Sequence, residues 1–408
     1  KAHKKSRGGC RNCKLRRIKC DEAKPECQKC ISFGVSCNYD SKTPDLHTGP
    51  DQLICFDTPK SATVTKPAPE KHLVPANQPV QPKSIPIGLF APFVVGDKLS
   101  TLELDSSDLE RFKRFLVRTV LTVGTPSGAR VFQKVMPELA FGHPYLMHIT
   151  QAMTAAHDRY LSPTSPPKQS VLESYHLTRG LALFATKLSQ PLQDSDRDSL
   201  WASAALLGII VVSAIEATAP EEAWPLKKSE PEDLEWMKMS ESKHVVWRLT
   251  DPLRKGSLFR TSSQEWVVSK EALPQPPARG VAGVPQAFID LFKLDDTSTA
   301  ENNPYFEQVH ILSSVLTLPP EQPTIVRFLS FMNTVHSPFR ELMKKKDPRA
   351  LLLLAYWYAT VIEGRWWIVR RARMECQAIC LYLERECKNN VQLMELLEYP
   401  KITCGLVR

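Results

Sequence analysis

From about residue 100 onward, apolar residues recur at three- and four-residue spacing, and the chain reads as one helix after another. Asp105, Ser106 and Ser107 supply N-caps for a helix reaching about residue 123, with Leu109, Phe112, Phe115, Leu116 and Val120 along one stripe. Further helices are predicted over 131–141 and 144–161, the second carrying Leu146, Ile149, Met153 and His157 on one face. Beyond a Ser/Pro loop come 169–188 and 197–217; the latter is apolar nearly all round and is expected at the centre of a core. Residues 218–233, rich in Pro and Glu, read as an exposed insertion. Shorter helical pieces follow near 234–248, 286–294, 305–316 and 324–333, with a Pro/Gly loop over 269–285. Asp347-Pro348 is an N-cap and N1 pair opening an apolar helix, and the last long helix predicted covers 365–387. Period-two alternation is scarce, so residues 100–408 are read as one all-α domain.

The pattern stops upstream of that point. Residues 41–99 are Pro-rich and poor in large apolar side chains, and read as an extended, disordered linker. They contain no apolar heptads, so no coiled coil is expected there. Residues 1–40 form a separate head. They hold 11 Lys and Arg against four acids, a formal +7 out of +9 for the whole chain. A polyanion-binding head on a near-neutral body is the arrangement this implies. Residues 1–9 are basic and lack the apolar h-region of a signal peptide. A reducing compartment is therefore expected, where clustered cysteines read as metal ligands before disulfides. The longest apolar runs, 201–215 and 350–362, fall short of the roughly 20 residues of a bilayer span and read as buried helices.

Chemistry concentrates in the head. Cys10, Cys13, Cys20, Cys27, Cys30 and Cys37 make two copies of C-x2-C-x6-C. Zinc prefers four ligands in a tetrahedron and binds thiolate well. Six thiolates serve one zinc with two left over, or two Zn2+ ions if two cysteines each bridge both metals; the repeat favours the shared solution. An iron–sulfur cluster takes four cysteines at tighter spacing, and a redox dithiol needs a single C-x2-C. Metal binding would fold a segment with too few large apolar residues for a core of its own.

The spacing, together with Lys14-Leu15-Arg16-Arg17-Ile18-Lys19-Cys20, resembles the binuclear zinc cluster DNA-binding domain of fungal transcription factors. The resemblance implies that each C-x2-C opens a short helix and that the two halves pack with pseudo-two-fold symmetry. It implies that Cys10 and Cys27 bridge the metals, that Cys13, Cys20, Cys30 and Cys37 complete the tetrahedra, and that Pro25 fixes the intervening turn. Its base readers fall at Arg16 and Arg17, where the family usually has lysines, and its usual site is a CGG-type triplet. Arginine keeps the charge and changes the donor geometry; at a helix end in the major groove it can grip guanine O6 and N7 bidentately. Lys14, Lys19, Lys29, Arg11 and the Lys4–Arg7 arm are placed as phosphate contacts, which position without specifying. The function implied is that of a nuclear, zinc-dependent regulator of RNA polymerase II transcription, with double-stranded DNA and the transcription machinery as partners.

The body resembles the fungal-specific regulatory domain of the sterol uptake regulator type. The likeness rests on residues 135–141, on His143-Pro144-Tyr145-Leu146-Met147-His148, on Tyr175-His176, on 247–254 and on 349–359. It implies an apolar, sterol-like ligand held in the helical domain. Trp357, Tyr358, Trp366, Trp367, Met332 and Met374 are candidates to line such a pocket, against ordinary core packing. The fold class expected is thus a small zinc-stapled helix-loop-helix module and a large all-α regulatory domain, joined by the Pro-rich linker. His143, His148 and His157 have no carboxylate to complete a metal set and read as structural. Cys376, Cys380 and Cys387 fall on a helix core face, where free cysteine packs well; a redox switch is the competing reading. Lys344–Lys346 and Arg370-Arg371 read as solvated charge. No G-x-S-x-G, phosphate loop, dinucleotide fingerprint or H-E-x-x-H is present. The competing functions are a regulatory partner that has lost DNA binding and a helical enzyme with a structural zinc appendage. Monomeric binding and a homodimer formed through the body both stay open.

Overall fold

A computed structural model describes residues 8–15, 19–25, 27–33, 37–39, 93–97, 100–162, 168–271, 275–318, 324–332 and 334–407. The Pro-rich linker expected over 41–99 lies outside the described residues apart from 93–97. The head contributes α1 (Arg11–Leu15) and α2 (Gln28–Phe33). A hairpin follows, β1 (Phe93–Gly96) and β2 (Thr101–Leu104), and then the helices. These are α3 (Ser106–Arg114), α4 (Pro126–Gly142), α5 (Pro144–Leu161), α6 (Val171–Leu188), α7 (Arg197–Ser213), α8 (Met239–Thr250) and α9 (Arg260–Glu271). The remainder are α10 (Gln286–Phe292), α11 (Phe306–Leu316), α12 (Thr324–Met332), α13 (Ser337–Lys344), α14 (Pro348–Val361), α15 (Trp366–Glu386) and α16 (Val391–Cys404). The body is largely helical, as its periodicity predicts.

Local chemistry explains the helix starts. Asp105 and Asp108 form a reciprocal capping box, Asp105 Oδ1 accepting from the Asp108 N–H at 2.9 Å. The helix then continues past Arg114 through a π turn (Phe115–Thr119) and a 3-10 turn (Val120–Thr122). Asp347 caps α14 by accepting from the N–H groups of Arg349 and Ala350 at 3.1 and 2.9 Å.

Two apolar helices organise the core. In α5, Tyr145, Leu146, Met147, Ile149, Ala152 and Met153 are all buried, and the helix packs against α3, α4, α6 and α7. In α14 the run Ala350–Ala355 is wholly buried between α11, α12, α15 and α16. The all-round apolar α7 joins these halves, touching α5, α8 and α15. At the seam, His157 stacks on Trp366 with ring centroids 4.6 Å apart, and Trp366 Nε1 donates to Thr122 Oγ1 at 2.8 Å.

The structure corrects several expectations. The body is not purely helical: β1 pairs antiparallel with β2, Val95 and Leu104 point inward, and Phe93 packs edge-on against Phe141 at 5.0 Å. The segment 218–233 is not wholly exposed, because Ala223 and Trp224 are buried against Ile215, Ala217 and Ala378 or the main core. Arg371 is not solvated but buried and paired with Glu375, while Arg370 donates to the Ala217 carbonyl at 2.8 Å. Helix α16 contains Pro400, which removes the N–H that would serve the Leu396 carbonyl. The Tyr356 hydroxyl of α14 donates to that carbonyl at 2.8 Å, so the helix runs on.

Candidate metal centre and nucleic-acid interface

In both halves of the head the first cysteine of the C-x2-C sits just before a helix, and the helix turns its backbone toward that sulfur. The Cys13 N–H donates to Cys10 Sγ at 3.4 Å, and the Cys30 N–H donates to Cys27 Sγ at 3.3 Å. The Glu22 and Cys27 N–H groups reach Cys20 and Cys37 in the same way, each at 3.4 Å. Cross-bonds join the halves: Arg11 N–H to the Asn38 carbonyl at 3.1 Å, Asn12 N–H to Asn38 Oδ1 at 2.6 Å, and Gln28 N–H to Asp21 Oδ2 at 3.0 Å. The Tyr39 hydroxyl donates to the Ala23 carbonyl at 3.0 Å and lies 3.4 Å from Cys20 Sγ, closing the turn after Cys20. The Lys24–Pro25 bond in that turn is cis.

The sulfurs fall into two overlapping groups of four, Cys10, Cys13, Cys20, Cys27 and Cys10, Cys27, Cys30, Cys37, each within 4.8 Å throughout. Individual separations are 3.8 Å for Cys10–Cys27, 3.4 Å for Cys10–Cys30, 3.6 Å for Cys13–Cys27 and 4.0 Å for Cys10–Cys20. Zinc–sulfur bonds of about 2.3 Å place the sulfurs of a tetrahedron about 3.8 Å apart, so both groups fit the ion. All but Cys37 are buried. Burial pushes the Cys13 thiol up to about 12 and raises Cys27 and Cys30 further. Burial acts the same way on Cys10, but the Cys13 N–H and neighbouring thiols bring it down to about 7. Crowded, desolvated thiols such as Cys13, Cys27 and Cys30 ionise readily only against a cation.

Residues 8–46 match the fungal Zn(2)-Cys(6) binuclear cluster domain. The head is a binuclear zinc cluster. Over 94% of its length the chain is 23% identical to a Zn(2)-C6 fungal-type transcription factor of Gibberella zeae, spanning 83% of that protein. Thirty-nine residues are 56% identical to sterol uptake control protein 2 of Saccharomyces cerevisiae, covering 10% of this chain and 4% of that one. The aspercryptin biosynthesis cluster-specific transcription regulator atnN of Emericella nidulans is 27% identical over 44% of this chain and 28% of its own.

Around the cluster, Arg11, Lys14 and Lys19 are exposed and Lys29 is half-buried. Arg16 and Arg17, the expected base readers, lie outside the described residues.

In the body, the aromatic residues that were candidates for a ligand pocket pack against other core side chains. Trp357 stacks on Phe331 at 5.3 Å and on Trp236 at 6.2 Å, and Trp367 meets Phe328 edge-on at 5.2 Å. Trp357, Tyr358, Trp366, Trp367 and Met332 are buried core, and Met374 is partly buried. An open groove of about 820 Å³ lies elsewhere and is charged, with Glu138, His143, Arg197, Asp198, Asp251 and Arg254 among its walls. His143, His148 and His157 do not converge: His143 Nδ1 donates to the Leu139 carbonyl, His148 meets His176, and His157 meets Thr119. Of the cysteine stripe, Cys387 stands apart; Cys376 and Cys380 are joined instead by Cys404, which helical spacing on one helix could not reveal. No helix among the described residues is long and apolar enough to cross a membrane.

Proposed function

We propose that the protein is a zinc-dependent, sequence-specific DNA-binding regulator of RNA polymerase II transcription, acting in the nucleus. The observation that carries this is the pair of overlapping sulfur tetrads inside a matched binuclear cluster whose exposed faces are basic. Cys10, Cys13, Cys20 and Cys27 would hold one Zn2+ ion and Cys10, Cys27, Cys30 and Cys37 a second, Cys10 and Cys27 being shared. Bound zinc supplies structure here, setting the short helices at a fixed mutual angle. Arg16 and Arg17 follow α1 directly and read a CGG-like triplet, each bidentate contact to guanine discriminating by about 1–3 kcal/mol. Arg11, Lys14, Lys19 and Lys29 hold phosphates, which supplies affinity and its salt dependence. A relative named as a transcription factor spans 94% of the chain, which argues against the enzyme reading.

Selection of bound duplexes from random sequence by the zinc-loaded protein tests this, and CGG-containing sites are expected to be enriched. Arg17→Ala should relax the preference, whereas Lys29→Ala should weaken all duplexes alike and flatten the salt slope by about one. Equal loss on cognate and scrambled duplexes for Arg17→Ala sinks the base-reading role.

Control by a sterol-like ligand is the second reading, resting on the likeness of residues 135–141, 143–148, 175–176, 247–254 and 349–359 to a regulatory domain of the sterol uptake regulator type. An unchanged melting temperature and DNA affinity on adding sterol would dispose of it.

A further inference from the structure

Outside the binuclear cluster, three more sulfurs converge. Cys376 and Cys380 stand one turn apart on α15, and Cys404 closes α16; all three are buried, and their Sγ atoms lie within 4.8 Å of one another. No His, Asp or Glu among the described residues joins the group. The remaining contacts are weak: Cys376 Sγ donates to the Ala355 carbonyl at 3.5 Å, and Cys404 Sγ to the Lys401 carbonyl at 3.5 Å. Nearby charges are already engaged, Lys401 with Glu384 and Glu398 at 2.8 and 2.7 Å, and Arg371 with Glu375. A lone buried cysteine packs as a small hydrophobe. Three that meet sulfur to sulfur form a tridentate soft donor set.

Ligand number and charge decide what such a set can hold. Zinc wants a fourth ligand, and three thiolates around it leave a net charge of −1. Monovalent copper on three thiolates leaves −2. Both charges would be uncompensated in a dry core, where net charge is costly. A trivalent metalloid is neutral with three thiolates. We propose that Cys376, Cys380 and Cys404 form a binding site for one trivalent metalloid of the arsenite type. Arsenous acid and three thiols exchange three As–O bonds for three As–S bonds, and each thiol proton leaves with a hydroxide as water. Oxidation states do not change, and reactants and products are neutral. Access is through the last turn of α16, where Gly405 ends the helix at φ +85° and Ile402 is 58% exposed; fraying of that turn uncovers Cys404. Binding then ties α15 to α16.

The test is a titration of the zinc-loaded, full-length protein with sodium arsenite, followed by native mass spectrometry, with parallel titrations using Cu(I) and extra Zn(II). One arsenic per chain is expected with both zincs retained, together with a rise in the melting temperature of the body. Cys404→Ala and Cys380→Ala should each weaken binding by ~100-fold, as when one arm of a multidentate hold is lost. Cys404 closes its helix, so its variant is expected to fold, which the unliganded melting curve checks. Uptake of arsenic only with zinc release, or equal uptake by the wild type and both variants, overturns the site. So does binding of Cu(I) or a third zinc, but not arsenic, with the same three-cysteine dependence.

Discussion

The Nδ1 atoms of His148 and His176 lie 2.9 Å apart at the buried contact between α5 and α6. One ring must therefore donate and the other accept, so the pair is compatible with neutral imidazoles and not with two protonated ones. Burial pushes His148 down to about 4, helped by His176 and Arg179. Burial also lowers His176; Asp108, 3.9 Å from its Nε2, opposes this and Arg111 adds to it.

A pH dependence follows with a defined sign. Unfolded, both rings titrate near 6.5, so between about 4 and 6.5 the unfolded chain binds more protons than the folded one. Stability contributed by the pair is complete above about 6.5 and is lost as the pH falls toward 4, about 3 kcal/mol for His148 by itself. All eight tryptophans lie in the body, so urea unfolding followed by tryptophan fluorescence reads the body free of the zinc cluster. The midpoint should drop between pH 7.5 and 5, and His148→Gln should flatten that drop. A pH-independent midpoint in the wild type contradicts the assignment.

The same contact sets a packing limit at Gly180 on α6. A Cβ there would stand 2.9 Å from Ile149 Cγ1 and 3.4 Å from both Ile149 N and His148 Cβ. Alanine would gain about 1 kcal/mol of helix propensity. Overpacking against a fully buried Ile149 costs about 1–3 kcal/mol, so Gly180→Ala should be net destabilising. Gly208 on α7 is the control, since a Cβ there meets nothing within 4 Å. Gly208→Ala should raise the melting temperature while Gly180→Ala lowers it; the opposite order refutes the packing account.

What could be read in advance divides along physical lines. Cysteines at ligand spacing advertise themselves, so the convergence of the sulfurs from Cys10 to Cys37 was legible, as was the Asp347-Pro348 helix start. Helical spacing of apolar residues places α5 and α15, and long apolar runs place α7 and α14. The hairpin was hidden because four-residue strands hold too few alternations to register, and α16 because Pro400 reads as a helix stop until Tyr356 is seen to satisfy Leu396. The burial of Ala223 and Arg371 escapes the sequence because their partners, across α15 and the loop after α7, are remote along the chain. Cys404 joined Cys376 and Cys380 by the same kind of tertiary contact.

Arg371 offers a direct measurement of that hidden network. Its Nη1 pairs with Glu375, Nε donates to the Val212 carbonyl at 2.8 Å, Nη2 to the Ala214 carbonyl at 3.2 Å, and the guanidinium lies over Trp236. The Tyr358 hydroxyl donates to the same carboxylate. Glu375→Ala leaves the guanidinium buried without its counter-charge, a loss of about 3–5 kcal/mol. Glu375→Leu combined with Arg371→Met removes both charges and should cost less than the sum of Glu375→Leu alone and Arg371→Met alone. Strict additivity in denaturant melts would show that the pair is not coupled.

The overlapping tetrads make unequal predictions for cysteines that look alike in the sequence. Cys10 belongs to both groups of four, whereas Cys13 belongs to one. Cys13→Ser leaves Cys10, Cys27, Cys30 and Cys37 together, so that variant should keep about one zinc per chain, against two in the wild type. Cys10→Ser leaves each tetrad with three sulfurs and should fall below one. Because the head has little core besides its sulfurs, zinc binding is its folding free energy. Chelation should therefore abolish DNA binding and expose residues 8–46 to protease, with the tryptophan-reported melting of the body unmoved. Zinc counts by atomic absorption on the two variants decide the point: equal stoichiometries for Cys10→Ser and Cys13→Ser are incompatible with a shared sulfur at Cys10.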